Sequence, residues 1–334
     1  LFLYVDGAAP PPGGLGDGLS VTIRPVGGRR VRGLLWQQIL LPRAARADGL
    51  DVFFAPAYSG PLSLGIPSVL TVHDLSFEAL PQDFALVDGM RRRLLSRLSL
   101  RASRRVLAVS DFTRREILSR HGDLAGRVEV VLHGADDDLP PAPDRDEARR
   151  SLGVTGPMLL SVGSILNRRR LPSLLAAAAR LRRSLPDLWL EVAGENRTHP
   201  RLDIDAIVAR LDLEGTVRHS GFVSERELAL RYAAADAVVY LSEYEGFGLP
   251  VLEGLRRGLP VLTSSRPATG EIFAAAALTV DPADPPGIAE AARRLVVDAR
   301  LRARLIEEGR RLSARLTWTA AAEKTRRALA AAAR

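Results

Sequence analysis

Two glutamates, Glu245 and Glu253, bracket a Gly-bearing loop in the run Glu245-Gly246-Phe247-Gly248-Leu249-Pro250-Val251-Leu252-Glu253. The apolar run Val238-Val239-Tyr240-Leu241 precedes it and reads as a buried strand. Pro250 falls where a helix would take its first turn, a place where a missing N–H costs little. A strand that passes through glycines into a helix start leaves backbone N–H groups free and adds the positive end of a helix dipole. That combination is an anion site suited to a diphosphate. The carboxylates cannot serve a phosphate, since like charges repel. They accept hydrogen bonds from vicinal hydroxyls, as on a ribose or a hexose. The spacing sets Glu245 before the loop and Glu253 in the first helical turn, both toward one strand-end cleft. Either Glu alone reads equally as an acid favouring a helix N-terminus.

A second loop has similar chemistry. Gly163-Ser164-Ile165-Leu166-Asn167-Arg168-Arg169-Arg170 follows the strand-like run Met158–Val162. Gly163 lets the backbone approach a ligand, and Arg168 and Arg169 suit bidentate binding of phosphate. The competing reading is a solvated Arg run in an Arg-rich chain. His73 and Asp74 follow the run Ser68–Val72. By themselves they read as a hydrogen-bonded loop histidine and a cap for the next turn.

Other chemistries recede. The chain has no Cys, which removes thiol nucleophiles, disulfide frameworks and Cys-based zinc sites. Its five His share no HxxxH or HExxH spacing. Asp203-Ile204-Asp205 has the spacing of a metal-binding acid pair, but it stands at a helix start and reads as capping. No metal or other cofactor is expected, and no residue is an obvious covalent nucleophile.

The elements that must hold these loops alternate. Apolar runs at Val52–Ala55, Ser68–Val72, Arg105–Val109 and Val128–Leu132 are separated by helix-like stretches, among them Val87–Ser103 and Thr113–His121. A break with Pro140, Pro141 and Pro143 follows. The alternation then restarts and ends in one long helical stretch, Pro286–Arg310, and an Ala/Arg-rich tail. At 334 residues this predicts two α/β halves, each a doubly wound parallel sheet, with ligand at the strand carboxyl ends. The opening run Leu1–Val5 reads as the interior of a protein, with no leader visible, and Gly13-Gly14-Leu15-Gly16 has no helix after it. The net charge of +8 rests on Arg almost alone, Lys324 being the single lysine, and points to anionic partners. The basic residues are spread over both halves with no nucleic-acid module, so nucleic acid is not expected. One stretch, Met90 to Arg105, carries seven Arg and no acid. Met90, Leu94 and Leu98 recur there every four residues, which predicts an apolar face docked on the sheet and a basic remainder. Its alternative reading is a patch for anionic lipid.

The Glu245–Glu253 segment resembles the E-x7-E signature of family-4 glycosyltransferases. Val72-His73-Asp74-Leu75, Val106-Leu107-Ala108-Val109-Ser110, Val130-Val131-Leu132-His133-Gly134-Ala135-Asp136, Leu160-Ser161-Val162-Gly163 and Trp318 resemble further family segments in family order. The resemblance implies a GT-B fold. Its N-terminal acceptor-side domain would span 1–139, shortened at its start, where the family's first strand and Gly-rich loop have no counterpart. A linker at 140–156, a nucleotide-sugar domain at 157–316 and a closing helix at 317–334 returning to the first domain would follow. It also implies roles. Glu245 would contact donor-sugar hydroxyls, and Glu253 the ribose diol. The amides of Phe247, Gly248 and Leu249 at the Pro250 helix start, with Gly163, Arg168 and Arg169, would hold the diphosphate. His73 would approach the sugar from across the cleft, and Asp74, Val223 and Glu271 complete the candidate set. Departures from the pattern are Ser164 where Arg is common, Gly254-Leu255-Arg256-Arg257 after Glu253, Gly270 before Glu271, and Ala274. The implied activity is retaining, metal-independent transfer of a hexose from a nucleoside-diphosphate sugar. The first guess is GDP-mannose, and the acceptor a glycan or lipid-linked molecule in the cytoplasm or at the inner membrane face. The alternative is an incomplete, nucleotide-binding or scaffolding relative of such enzymes.

Overall fold

The computed structural model describes residues 1–6, 21–27, 33–135, 140 and 143–334. The Gly13–Gly16 run lies outside the described residues, as do Asp136 and Pro141 of the predicted break. In the N-terminal half, β1 (Phe2–Asp6) pairs with β2 (Thr22–Val26) in a separate parallel ribbon. A π-helical turn, Trp36–Leu40, runs into α1 (Leu41–Ala47). Then come β3 (Phe53–Ala55), β4 (Ser68–Val72), α2 (Ser76–Ala79), α3 (Leu86–Ala102), β5 (Arg105–Ala108), α4 (Asp111–Arg120) and β6 (Val128–Val130). Strands β3 to β6 form one parallel sheet in chain order.

The second half contains α5 (Arg145–Leu152), β7 (Met158–Val162), α6 (Leu171–Leu181), β8 (Trp189–Ala193), α7 (Ile204–Arg210) and β9 (Val217–Gly221). It continues with α8 (Glu225–Ala234), β10 (Ala237–Tyr240), α9 (Leu249–Arg256), β11 (Val261–Ser264), α10 (Thr269–Phe273) and β12 (Leu278–Val280). The chain ends with α11 (Pro285–Val297), α12 (Ala299–Ser313) and α13 (Trp318–Ala333). The sheet is parallel, in the order β12-β11-β10-β7-β8-β9. The chain thus winds outward from β7 in one direction and then crosses back to β10. The β7/β10 seam is the topological switch point, where open α/β sheets bind ligands.

Alternation along each strand builds the layers. On β4 and β5, Leu70, Val72, Val106 and Ala108 pack with Leu41, Leu100 and Ile117 from the helices of one face. Val69 and Leu107 point the other way and meet Ala321, Ala328 and Ala332 of α13. The closing helix therefore covers the N-terminal sheet. Its approach is set by Gly134, where any Cβ would collide with the Thr317–Trp318 backbone, and by the parallel bridge Ala135–Thr317.

Three sequence expectations are corrected. The 140–156 stretch is not all linker. Asp144 accepts from the amides of Asp146 and Glu147 and starts α5, Gly153 ends it in the left-handed region, and Arg145 and Arg149 both pair with Asp236. The long helix Pro286–Arg310 is two helices, because Asp298 accepts from the Leu301 amide and caps a new start. The Met90/Leu94/Leu98 face of α3 does not dock on the sheet. Gly89, Ser96, Ser99 and Leu100 are buried instead. No helix among the described residues is long and apolar enough to cross a membrane.

Candidate donor site at the β7/β10 seam

The loops after β7 and β10 meet at the switch point. Gly163 ends β7 with φ +109°, a conformation that Gly adopts without strain. A Cβ there would run into the Arg169 guanidinium, so the missing side chain is the space Arg169 occupies. Arg169 Nε donates to Glu245 Oε1 at 3.2 Å, and its guanidinium lies over the Tyr240 ring, 4.5 Å from the centroid. Burial disfavours its charge, but Tyr240, Glu245 and Asp74 more than offset this, and its pKa is raised above the usual arginine value. Arg168 reaches Asp74 Oδ2 at 3.4 Å and lies 3.8 Å from Glu245 Oε1. Its Nε is buried with no hydrogen-bond acceptor. A buried orphan donor is costly, about 1–3 kcal/mol, so this nitrogen can still take an acceptor. Arg170 pairs with Glu243 instead.

Glu245 is 7% exposed. The loop after it is pressed against the first domain. A Cβ on Gly246 would collide with the His73 carbonyl oxygen, and Thr113 Oγ1 lies 3.4 Å from that oxygen and 3.5 Å from the Gly246 carbonyl. Gly248 has φ +107° and stands as the N-cap of α9, with Leu249 and Pro250 in its first turn. Phe247 is buried between His133 and Phe273. Glu253 sits one turn inside α9 rather than in the first turn. Its Oε2 accepts from the Tyr232 hydroxyl at 2.8 Å. The Tyr232 pKa is raised, by burial first and by Glu253 second, so the phenol stays a donor. The Arg257 guanidinium lies 4.6 Å from the Tyr232 ring centroid.

The His73 ring is more engaged than its sequence position implied. Nε2 contacts the Pro56 carbonyl at 2.9 Å, which can only accept, so Nε2 carries a proton. In the neutral ring, Nδ1 then accepts from His133 Nε2 at 3.1 Å. The His133 pKa is pushed down to about 4, by burial first and by His73 second, which keeps that partner neutral. Both ring nitrogens of His73 are thus used within the first domain, and its backbone carbonyl is the atom that meets the second. Asp74 both caps and bridges. Its Oδ1 accepts from Ser76 N and Oγ, and its Oδ2 faces Arg168.

Two candidates lie apart from this cluster. Glu271, on α10, pairs with Arg115 of α4 at 2.5 Å. Val223 is half-buried in the loop between β9 and α8. Asp203 accepts from the Ala206 amide at 3.0 Å, the capping role read from sequence. Sequence reading gave no role to His133, Tyr232 or Tyr240. Each is an aromatic inside an apolar or helical run, where type and spacing suggest only core.

Two facing parallel α/β sheets with basic, Gly-opened loops at a switch point have the GT-B architecture. Residues 144–312 match the family described as Glycosyl transferases group 1, and residues 3–139 match Glycosyltransferase Family 4. The chain belongs to this glycosyltransferase family. It is 31% identical over 222 residues to the O-antigen chain mannosyltransferase B of Escherichia coli, covering 65% of this chain and 58% of that one. It is 34% identical over 212 residues to a D-inositol 3-phosphate glycosyltransferase of Kineococcus radiotolerans, covering 58% and 48%. The chain thus spans about half the length of these curated relatives. Among solved structures, HepE from Anabaena in complex with UDP-glucose superposes with TM-score 0.75 at 19% identity, covering 92% of this chain and 86% of that one. WaaG, a glycosyltransferase involved in lipopolysaccharide biosynthesis, superposes with TM-score 0.70 at 20% identity, covering 92% and 87%. Both share the fold.

Proposed function

We propose that this chain is a retaining hexosyltransferase that uses a nucleoside-diphosphate sugar and needs no metal. The observation that carries the reading is Arg168 and Arg169 converging on Glu245 and Asp74 at the β7/β10 seam, with Arg168 Nε unsatisfied. A diphosphate entering the seam supplies that acceptor. The two guanidiniums and the first amides of α9 neutralise charge as it grows on the leaving group. Glu245 then turns to sugar hydroxyls, which donate to it. The acceptor oxygen bonds to the anomeric carbon on the face from which the phosphate oxygen departs, and that phosphate oxygen takes the acceptor proton.

GDP-mannose is the first donor to test, because the Escherichia coli relative is named as a mannosyltransferase. The acceptor class is a glycan or a lipid-linked molecule, and the setting is the cytoplasm, at or near the inner membrane face. A panel of nucleotide sugars in EDTA, read by thermal shift and by release of nucleoside diphosphate, tests the reading. Melting temperature should rise with the true donor by mass action, and turnover should persist in EDTA. Turnover that vanishes in EDTA and returns with Mg²⁺ overturns the metal-free account. Binding with no turnover against any acceptor supports the nucleotide-binding scaffold instead.

Glu253 is assigned to the ribose diol, with Tyr232 holding its carboxylate. Tyr232→Phe removes one charge-assisted hydrogen bond, worth ~1.5–3 kcal/mol. Donor KM should rise roughly tenfold or more, with kcat within about twofold, because ribose contacts act alike in ground and transition states. Glu253→Ala should give the same split, only larger. A fall in kcat with unchanged KM would remove both residues from the ribose.

A further inference from the structure

Helix α3 is built inside out. The side toward the domain is made of small and polar residues: Gly89, Ser96 and Ser99 are buried, with Leu100 the one buried large side chain. Ser99 Oγ accepts from the Gly60 amide at 3.2 Å, so this face is hydrogen-bonded in place. The apolar residues are on the outside. Leu86 and Val87 are each 73% exposed, Leu94 59%, Met90 48% and Leu98 38%. Leu86, Met90, Leu94 and Leu98 follow a fourfold spacing and, with Val87, form one ridge along a helix about 25 Å long. Isolated exposed leucines need no explanation, but a continuous ridge does.

The flanks of the ridge are basic. Within α3 there are five Arg and one acid, Asp88. Asp88 holds Arg91 and Arg92, and Arg93 reaches back to the Phe77 carbonyl. Arg97 has no ion-pair partner among the described residues, and Arg101 faces Asp123 only loosely, at 3.5 Å. An apolar ridge edged by guanidiniums matches the boundary between acyl chains and anionic headgroups. A second copy of the chain fits poorly, since a two-fold contact would set the same Arg rows against each other.

The position of the helix matters as well. Asp83, three residues before α3, lies near enough to Arg168, Glu243 and Arg170 for their charges to act on its carboxyl. The ridge therefore begins, at Leu86 and Val87, on the rim of the cleft between the domains. We infer that α3 lies in the surface of an anionic bilayer, with Leu86, Val87, Met90, Leu94 and Leu98 in the acyl boundary, Arg97 and Arg101 on lipid phosphates, and the cleft mouth held at the membrane. The surface stands independently of the transferase reading; only its use, delivering a lipid-linked acceptor to the cleft, rests on that reading.

The test is co-sedimentation of the whole chain with vesicles of phosphatidylglycerol and phosphatidylcholine, or of phosphatidylcholine alone. At about 0.1 M salt the protein should pellet with the anionic vesicles and stay free of the neutral ones. Binding should weaken at least about tenfold at 1 M salt, where the Debye length falls to ~3 Å. Leu94→Ser with Leu98→Ser should lower partition about tenfold or more, since exposed apolar area no longer leaves water on docking. Arg97→Gln with Arg101→Gln should lower it severalfold. All four sites are on the surface, so melting temperature and the thermal shift with nucleotide sugars should match wild type. A wild type that ignores anionic vesicles, or a Leu94/Leu98 variant that binds like wild type, overturns the proposal. So does a concentration-dependent dimer in sedimentation that the leucine changes dissolve. Failure of the transferase reading shows elsewhere, as an absent shift with every nucleotide sugar while vesicle binding persists.

Discussion

Glu245→Gln is expected to lower turnover by about 10²–10³-fold, the scale seen when one well-placed polar group is removed from a transition state. Glu245 is nearly buried and is the shared partner of Arg169 and Arg168. Gln keeps its shape and loses its charge. A neutral amide accepts more weakly from hydroxyls of a sugar that is gaining positive charge, so the loss is concentrated at the transition state. Binding should move differently. Without the carboxylate, both guanidiniums lose their competing anion, and a diphosphate meets them with less to displace. Affinity for the nucleoside diphosphate should therefore hold or rise while kcat falls. Single-turnover rates and calorimetric titration measure the two separately. If Glu245→Gln keeps wild-type turnover, Glu245 does not touch the sugar.

Much of this site is readable from residue types at fixed spacing. Gly163 and Gly248 mark places where the backbone adopts positive φ, Gly163 directly after β7 and Gly248 directly before α9. Arg168 and Arg169 are within reach of Glu245 because β7 and β10 are neighbours, a pairing that the order of β/α units implies. The less legible part depends on side chains meeting across the fold. Tyr232 and Glu253 lie on different helices, and nothing in either local sequence says that they touch. His133 reaches His73 from another strand end, and this contact decides that the His73 ring is internally engaged. Helix α3 misled for a different reason. Periodicity reports that one face is apolar, not which way it points, and Gly89, Ser96 and Ser99 let the helix seat closely through its small side. The break at Asp298 was written as a capping residue inside a helical pattern, where period outweighs a single cap.

Replacing Arg168 and Arg169 together by Ala should nearly abolish binding of nucleoside diphosphate, while affinity for the free nucleoside changes little. Each charge-assisted contact is worth ~1.5–3 kcal/mol, so one substitution should cost about 10–100-fold. The double change should cost more than either single one, because a diphosphate in the seam would be left without any cation from this loop. The protein also responds without ligand. Arg168 ties Asp74 of the first domain to the second, while Arg169 ties Glu245 to the Gly163 loop. Removing both leaves Asp74 and Glu245 buried without these counter-ions, so the double variant should melt lower than wild type. Arg168→Lys with Arg169→Lys separates the two effects. It keeps both charges, restores most of the melting temperature and recovers diphosphate binding only in part, since an ammonium cannot form the bidentate fork. Titration of nucleoside, monophosphate and diphosphate against each variant gives the answer. Losses that climb with the number of phosphates assign the two arginines to the diphosphate. Equal losses for all three ligands would reduce them to structural ion pairs, one between the domains and one within the second.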